Sequence, residues 1–113
     1  MRRKDRVALD ARASVFAALG DATRLTVLAK LSKGEPHSIS RLTEGTKLTR
    51  QAVTKHLRVL EVAGVVHSLR VGRESLFAFK PEPIEDIRAF LDVVSVEWDH
   101  TLLRLKDFVE VES

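Results

Sequence analysis

Residues 49 to 64 read Thr-Arg-Gln-Ala-Val-Thr-Lys-His-Leu-Arg-Val-Leu-Glu-Val-Ala-Gly, and this stretch decides the fold. When it is placed on a helix, Val53, Leu57 and Leu60 fall on one apolar stripe. The opposite face carries hydrogen-bond donors and positive charge, with no acid among them: Arg50, Gln51, Thr54, Lys55 and Arg58. A short helix with an apolar back and a basic front fits the major groove of DNA. The stretch therefore predicts a DNA recognition helix.

Both ends of this helix are marked in the sequence. Thr49 is a favoured N-cap residue, and Gly64 tolerates the left-handed conformation that ends many helices. A basic amphipathic helix is also typical of an ordinary solvated surface. The segments on either side of it are therefore needed to choose between the two interpretations.

The segment before the recognition helix predicts a second, shorter helix. Ser38 is placed to cap it, and Ile39 and Leu42 are expected to point inward. Residues 45–48, which begin with Gly45, then form a tight turn into Thr49. A helix, a short turn that contains glycine and an amphipathic helix make a helix-turn-helix, here over about residues 38–63.

The segment after the recognition helix predicts a β-hairpin over about residues 65–80. Residues 65–71 are rich in β-branched side chains, Gly72 and Arg73 form a turn, and residues 74–80 read as the return strand. A hairpin after a helix-turn-helix is a wing, and its tip is expected to lay Arg73 against phosphate or into the minor groove. The fold class is therefore mostly α with a small β-hairpin, a winged helix-turn-helix with about five helices.

The chain resembles the ArsR/SmtB-type winged-helix repressors over about residues 12 to 108. Three motifs carry the resemblance: Phe-Ala-Ala-Leu-Gly-Asp-Ala-Thr-Arg-Leu at 16–25, Thr-Arg-Gln-Ala-Val-Thr-Lys-His-Leu at 49–57 and Leu-Glu-Val-Ala-Gly-Val-Val at 60–66. A Trp-Asp-x-x-Leu-x-x-Leu-Lys pattern at 98–106 is most similar to the metal-free SdpR-like members. The resemblance implies DNA contacts by Arg50, Gln51, Thr54 and Lys55. It also implies a homodimer built through the first and last helices.

Base and phosphate contacts are assigned by side-chain chemistry. Gln51 is expected to pair with adenine and Arg50 with guanine, while Thr54 suits a thymine methyl group or a phosphate. Lys55, Arg58 and Arg73 are expected mainly on phosphates. The full set of predicted DNA-contact residues is Ser38, Thr49, Arg50, Gln51, Thr54, Lys55, Arg58 and Arg73. The expected target is double-stranded DNA with an inverted-repeat operator.

The remaining helices are predicted from apolar spacing. The first runs from about residue 6 to 19 and the last from about 83 to 109. Between them, a helix over about 23–31 is capped by Asp21, with Leu25, Leu28 and Leu31 inward. The apolar stripe of the last helix is too long for one small domain to cover, so a partner helix is expected. The predicted dimer-interface residues are Leu9, Ala13, Phe16, Leu91, Val94, Trp98, Leu102 and Leu105.

Composition bounds the class of protein. The chain of 113 residues predicts one domain over 1–113, and no apolar run is long enough to span a membrane. The chain has no cysteine and no segment typical of a signal peptide, which favours the cytoplasm. Residues 1–60 hold thirteen Lys or Arg against five acids, whereas residues 81–113 hold three against nine. The positive field therefore lies on the half with the helix-turn-helix.

Other functional classes receive less support. No serine is accompanied by a base and an orienting group, so we predict no enzyme, no catalytic residue and no cofactor. His56 is expected to be a half-buried structural histidine. A metal-responsive repressor remains an alternative, with Asp99 and His100 meeting Glu110 or Glu112 of a partner subunit, although no metal ligand is assigned. A winged helix used only for protein–protein contact is the other alternative.

Overall fold

The computed structural model describes residues 2–112, so Met1 and Ser113, at the ends of the expected domain, lie outside the described residues. The described residues form five helices and three strands in this order: α1 (Arg3–Leu19), α2 (Ala22–Leu31), β1 (His37–Ser38), α3 (Ile39–Thr43), α4 (Arg50–Val62), β2 (Val66–Val71), β3 (Glu74–Phe79) and α5 (Glu82–Glu112). The predicted winged helix-turn-helix is confirmed. The outer helices are longer than expected, since α1 begins at Arg3 and α5 continues to Glu112.

Short-range hydrogen bonds set where the helices begin. The side chains of Asp21, Ser38 and Thr49 each accept the backbone N–H three residues further on, at 3.1–3.2 Å. These bonds satisfy donors that the first turn of a helix leaves without partners. After α4, Gly64 adopts a φ of 82°, which is the left-handed conformation expected from the sequence. The three predicted N-caps and the glycine stop are confirmed.

The sheet contains one strand more than the predicted hairpin. Strands β2 and β3 pair antiparallel, and β1 pairs with the other edge of β3, so the order is β1-β3-β2. In β1, His37 lies opposite Phe77 and Ser38 opposite Leu76. A strand of two residues is too short to show an alternating pattern. It matters because it ties the start of α3 directly to the wing.

The core lies between α2, α4 and the sheet, with contributions from α1 and the first turns of α5. Its fully buried residues include the whole apolar stripe of α4, namely Val53, Leu57 and Leu60. The prediction for α2 was partly wrong, because Leu25 is 50% exposed. Val27 takes a buried position instead, together with Leu28 and Leu31. Val27, Leu28 and Leu31 lie on the face of α2 that packs into the core, whereas Leu25, although three residues before Leu28, lies at the edge of that face.

Helix α5 extends far beyond the core. Its 31 residues correspond to about 46 Å at the usual rise per residue. Ile87 is buried in the core and Ile84 packs against it, whereas the large apolar side chains from Leu91 onward are exposed. At its base, Arg12 of α1 forms a two-pronged ion pair with Asp86 at 2.9 and 3.2 Å. The described chain is therefore elongated, with principal extents of 68 × 36 × 22 Å.

Candidate nucleic-acid interface

The exposed front of α4 carries most of the predicted DNA contacts. Gln51, Lys55 and Arg58 are exposed, and Thr54 is half-buried. The hydroxyl of Thr54 donates a hydrogen bond of 2.7 Å to the carbonyl oxygen of Arg50. Because the hydroxyl is held against its own helix, the methyl group is the part of Thr54 that is left for an outside partner.

Arg50 lies on the edge of α4 that faces the wing. It lines a cleft of about 300 Å³ together with Arg73 at the wing tip and Ser38 at the start of α3. Three residues predicted independently are thus brought to one place. Ser40 and Ser75 add two further hydroxyls, and Glu74 adds one carboxylate to the lining. Two guanidinium groups and three hydroxyls suit a phosphate group.

Arg58 lies elsewhere, in a groove between α1 and α4. It lines a mostly apolar groove of about 470 Å³ with Ser14 and Ala17 of α1 and with Val59 and Val62 of its own helix. Thr49 stays exposed beside the front of α4 while its hydroxyl oxygen caps that helix. The predicted DNA contacts therefore form a front on α4, a cleft beside the wing and an outlying arginine.

A guanidinium group behind the recognition helix was missed by the sequence analysis. Arg24 donates from Nε to the carbonyl oxygen of Ala18 at 2.6 Å and from Nη2 to that of Ala17 at 3.5 Å. Its Nη1 lies 3.3 Å from Nδ1 of His56 on α4. A guanidinium is always a donor, so in this contact Nδ1 of His56 is the acceptor. Arg24 therefore connects α1, α2 and the recognition helix.

Asp21 completes this connection. Its carboxylate accepts the backbone N–H of Arg24, and this bond lowers the pKa of Asp21 below its usual value. An Oδ1 of the same carboxylate lies 3.9 Å from Nδ1 of His56. The His56 side chain is 23% exposed, so the expectation of a half-buried histidine is confirmed. Arg24 belongs to the motif at residues 16–25 that carries the family resemblance, but nothing in the sequence indicates that it contacts His56.

Among the side chains that the structure describes, which run from residue 2 to residue 111, no three His, Asp or Glu residues come together in a group able to hold a metal ion. None of the helices in that part of the chain combines the length and the apolar character needed to cross a bilayer.

Several known proteins resemble this chain in sequence and in fold. The profile of a family described as a helix-turn-helix domain matches residues 11–68. The uncharacterized HTH-type transcriptional regulator YuzN of Bacillus subtilis is 39% identical over 80 residues, which cover 66% of this chain and 87% of YuzN. The structure of an ArsR-like transcriptional regulator from Rhodococcus sp. RHA1 is 35% identical with a TM-score of 0.78, covering 88% of this chain and 93% of that one. The chain belongs to the ArsR family of helix-turn-helix transcriptional regulators.

Two further proteins resemble this ArsR-family regulator at lower sequence identity. The HTH-type transcriptional regulator Rv2034 of Mycobacterium tuberculosis is 31% identical over 75 residues, covering 66% of this chain and 69% of Rv2034. The homodimeric winged helix-turn-helix domain of Mb0332 from Mycobacterium bovis has a TM-score of 0.69 at 23% identity, covering 86% of this chain and 89% of that domain. The likeness to Mb0332 shows the fold. The chain is thus a DNA-binding regulator of the helix-turn-helix class.

Proposed function

We propose that this ArsR-family regulator is a homodimeric, metal-independent repressor that binds an inverted-repeat operator. The observation that carries the proposal is the pairing of two uncovered surfaces on one chain. One is the donor-rich front of α4, and the other is the apolar stripe along α5. The first suits a DNA groove, and the second suits an identical helix.

Base reading is assigned to the middle of the α4 front. Gln51 is exposed and can form a two-bond pair with adenine. Thr54 presents its methyl group, because its hydroxyl is bonded to Arg50, and this supports a thymine contact over a phosphate contact. Arg50 was expected to pair with guanine. Its place in the cleft with Arg73 supports a backbone phosphate instead, with Ser38 as a further donor.

Phosphate contacts are assigned to the remaining cations and to one hydroxyl. Lys55 lies on the exposed front of α4, and Thr49 can donate its hydroxyl proton to a phosphate while its oxygen caps the helix. Arg58 is assigned to a phosphate on the α1 side of the front, where it lines the groove beside Ser14. Phosphate contacts carry no sequence information themselves, but they fix how the helix sits in the groove.

Dimerisation is assigned to α1 and α5. The predicted interface residues on α5, which are Leu91, Val94, Trp98, Leu102 and Leu105, are all exposed in the single chain. On α1, Leu9 and Ala13 are exposed, whereas Phe16 is half-buried and its ring lies 6.3 Å from that of Phe90 in the same chain. Phe16 thus packs against the first turns of α5 in its own chain, and its exposed part is assigned to the edge of the proposed interface. Mb0332, which shares the fold, is described as homodimeric.

Metal independence is supported by the side chains available as ligands. The chain has no cysteine, and its four histidines lie at 37, 56, 67 and 100, on different elements. The alternative is a zinc-responsive repressor with a site across the dimer that uses Asp99 and His100. We expect operator affinity to be the same with chelator and with low-micromolar zinc. A tenfold change that disappears in His100→Ala, or about 1.4 kcal/mol of coupling, would favour the alternative.

The experiment that tests DNA recognition is selection of binding sites from a random duplex pool, followed by footprinting. We expect enrichment of an inverted repeat whose half-sites are about one helical turn, or a multiple of it, apart. Gln51→Ala should relax preference at one position per half-site, by about 1–3 kcal/mol. A winged helix that serves only as a protein-interaction module would enrich no sequence. Placing the selected operator across a reporter promoter then tests whether binding represses transcription.

A further inference from the structure

A second polar cleft lies beside β1 and the start of α3. It has a volume of about 410 Å³ and is lined by Lys30, Lys33, Glu35, His37 and Arg41. Three of these side chains are cations and one is an acid. The acid, Glu35, lies 3.5 Å from Arg41 in an exposed ion pair, which leaves most of the donors of the cleft available. The cleft therefore keeps a net positive charge.

His37 shows that this cleft has an unmet polar group. Its Nδ1 is fully buried and has no hydrogen-bond partner among the described residues. Burial lowers the pKa of His37, the charges of Arg41 and Lys30 lower it further, and Glu35 opposes them. A buried polar atom without a partner costs free energy, and a phosphate oxygen that reached this nitrogen in its protonated form would supply the missing bond. An anion would also relieve the mutual repulsion of the cations.

The chemistry of the lining selects the kind of anion. Two ammonium groups and one guanidinium, arranged around an open cleft, match a group that has several oxygen acceptors. A phosphate group, free or esterified, meets this description. An apolar or cationic ligand does not.

The position of the cleft points to the source of the phosphate. Ser40 and Arg41 are neighbours on α3, and Ser40 lines the cleft beside the wing while Arg41 lines the second cleft. Likewise, the consecutive β1 residues Ser38 and His37 divide between the two clefts. The two clefts therefore adjoin each other along β1 and the start of α3. If DNA occupies the first cleft as proposed, the same strand is the nearest source of a phosphate for the second.

We propose that the cleft formed by Lys30, Lys33, His37 and Arg41 receives a backbone phosphate of DNA beyond the bases read by α4. This inference rests on the proposed DNA-binding function and extends it. The regulator would bind the DNA next to its operator independently of the base sequence there, since a phosphate contact positions a protein but carries no base information. Each such contact also steepens the salt dependence of binding.

The test compares two duplexes that carry the selected operator. One is trimmed to the footprinted repeat, and the other is extended by about five base pairs, or half a helical turn, at each end. The double variant Lys30→Gln with Lys33→Gln is compared with the wild type and with Lys80→Gln. Lys80 is a matched control because it is exposed and follows β3 at the end away from the wing tip. Thermal melting checks that all three proteins are equally folded.

We expect the wild type to bind the extended duplex more tightly and with a steeper salt slope. The double variant should lose this gain, with a decrease of about 0.9 in the logarithmic salt slope for each lost contact. It should match the wild type on the trimmed duplex, and Lys80→Gln should match it on both. An equal effect of the double variant on the two duplexes, or none on either, would overturn the inference.

A second arm separates DNA phosphate from a free anion. Inorganic phosphate is titrated into the protein while the imidazole protons of His37 are followed by NMR. If phosphate shifts them saturably at sub-millimolar concentration but duplex length has no effect, the ligand is a free phosphate compound and the DNA assignment is wrong. If Gln51→Ala weakens binding but length does not matter, only this inference fails. If the wild type selects no DNA at all, the proposed function fails with it.

Discussion

One guanidinium group joins three helices behind the recognition surface. Arg24 holds the last carbonyl groups of α1, belongs to α2 and lies 3.3 Å from His56 on α4. The side chains proposed to contact DNA are on the same short helix as His56. A rotation of α4 would move Gln51 and Lys55 away from their proposed partners. We therefore expect Arg24 to position the recognition helix from behind, while its side chain also lines the groove beside Arg58.

Replacing Arg24 tests this positioning role. We expect Arg24→Gln to lower the free energy of unfolding by about 2 kcal/mol, because hydrogen bonds from a charged donor to partly buried acceptors are lost. Operator affinity measured well below the melting temperature should also decrease, and the protein should discriminate less between bases in the operator. Arg24→Lys keeps the charge and part of the bonding, so it should recover affinity in part. An unchanged base preference in Arg24→Gln would limit Arg24 to a stabilising role.

Asp21 gives this cluster a dependence on acid. Its folded-state pKa lies below its usual value, so its contribution to stability is complete above the unfolded-state pKa. That contribution is lost as the pH falls through the folded-state pKa. Asp21→Asn keeps a capping oxygen but does not titrate. We expect the wild type to be more stable than the variant near neutral pH, and the gap in unfolding free energy to shrink below about pH 4. A gap that stays constant down to pH 2 would contradict this assignment.

At this scale, local contacts could be predicted and distant ones could not. The capping bonds of Asp21, Ser38 and Thr49 each span three residues, so residue type and spacing were enough. The contact of Arg24 with His56 spans 32 residues. It depends on how α2 crosses α4, and no local pattern encodes that crossing.

Among the elements, α4 combines a structural and a functional face most sharply. Its inward stripe is completely buried, and its outward face carries the polar side chains proposed to contact DNA. The core thus fixes the helix from behind, while the front is free to meet a ligand. Base reading by a rigid helix requires this division.

Truncating one residue of the inward stripe should reveal its contribution. We expect Leu57→Ala to lower the free energy of unfolding by about 2–5 kcal/mol, because a fully buried leucine is replaced by a cavity. Val62→Ala, on the same helix but with 85% of its side chain exposed, should change it by less than about 0.5 kcal/mol. Denaturant titration of both variants measures the difference. Similar losses in the two would mean that the buried face of α4 has been misassigned.

Helices and strands could be predicted where the regular spacing of apolar residues extends over many positions. Helix α4 and the hairpin were predicted to within a few residues, because apolar spacing and turn residues agreed there. Strand β1 has two residues and no period to detect. Leu25 has the right spacing for an inward position but is exposed in the folded chain. The faces of a helix depend on its neighbours as well as on its own sequence.

In the whole molecule, the positive charge and the exposed apolar surface lie on different parts of the chain. The basic half of the chain contains the proposed DNA interface, whereas the acidic α5 carries a long uncovered apolar stripe. The stripe starts where Ile87 leaves the core and continues to Val109 and beyond. An apolar surface this extensive is unusual on a monomer. The acids on the same helix give this end of the chain a charge opposite to that of the basic half.

The proposed dimer can be tested by placing a charge in the stripe. We expect Trp98→Glu to give monomers or insoluble protein and to weaken operator binding strongly, because a buried carboxylate in the interface would have no partner. Sedimentation velocity and a gel-shift titration measure the two effects. His100→Glu is the matched control, because it places the same charge roughly on the opposite side of α5. A Trp98→Glu protein that stays dimeric would move the interface elsewhere.

The uncovered stripe on α5 also makes the regulator sensitive to its own abundance. For a dimer built as proposed, only paired subunits carry two recognition helices, and pairing also stabilises the fold by mass action. Below the dimer dissociation constant, the active form falls with the square of the subunit concentration. Halving the protein then removes about three quarters of the active form. If the regulator represses transcription as proposed, dilution by growth after its synthesis stops would therefore release its target genes abruptly, without any small-molecule signal.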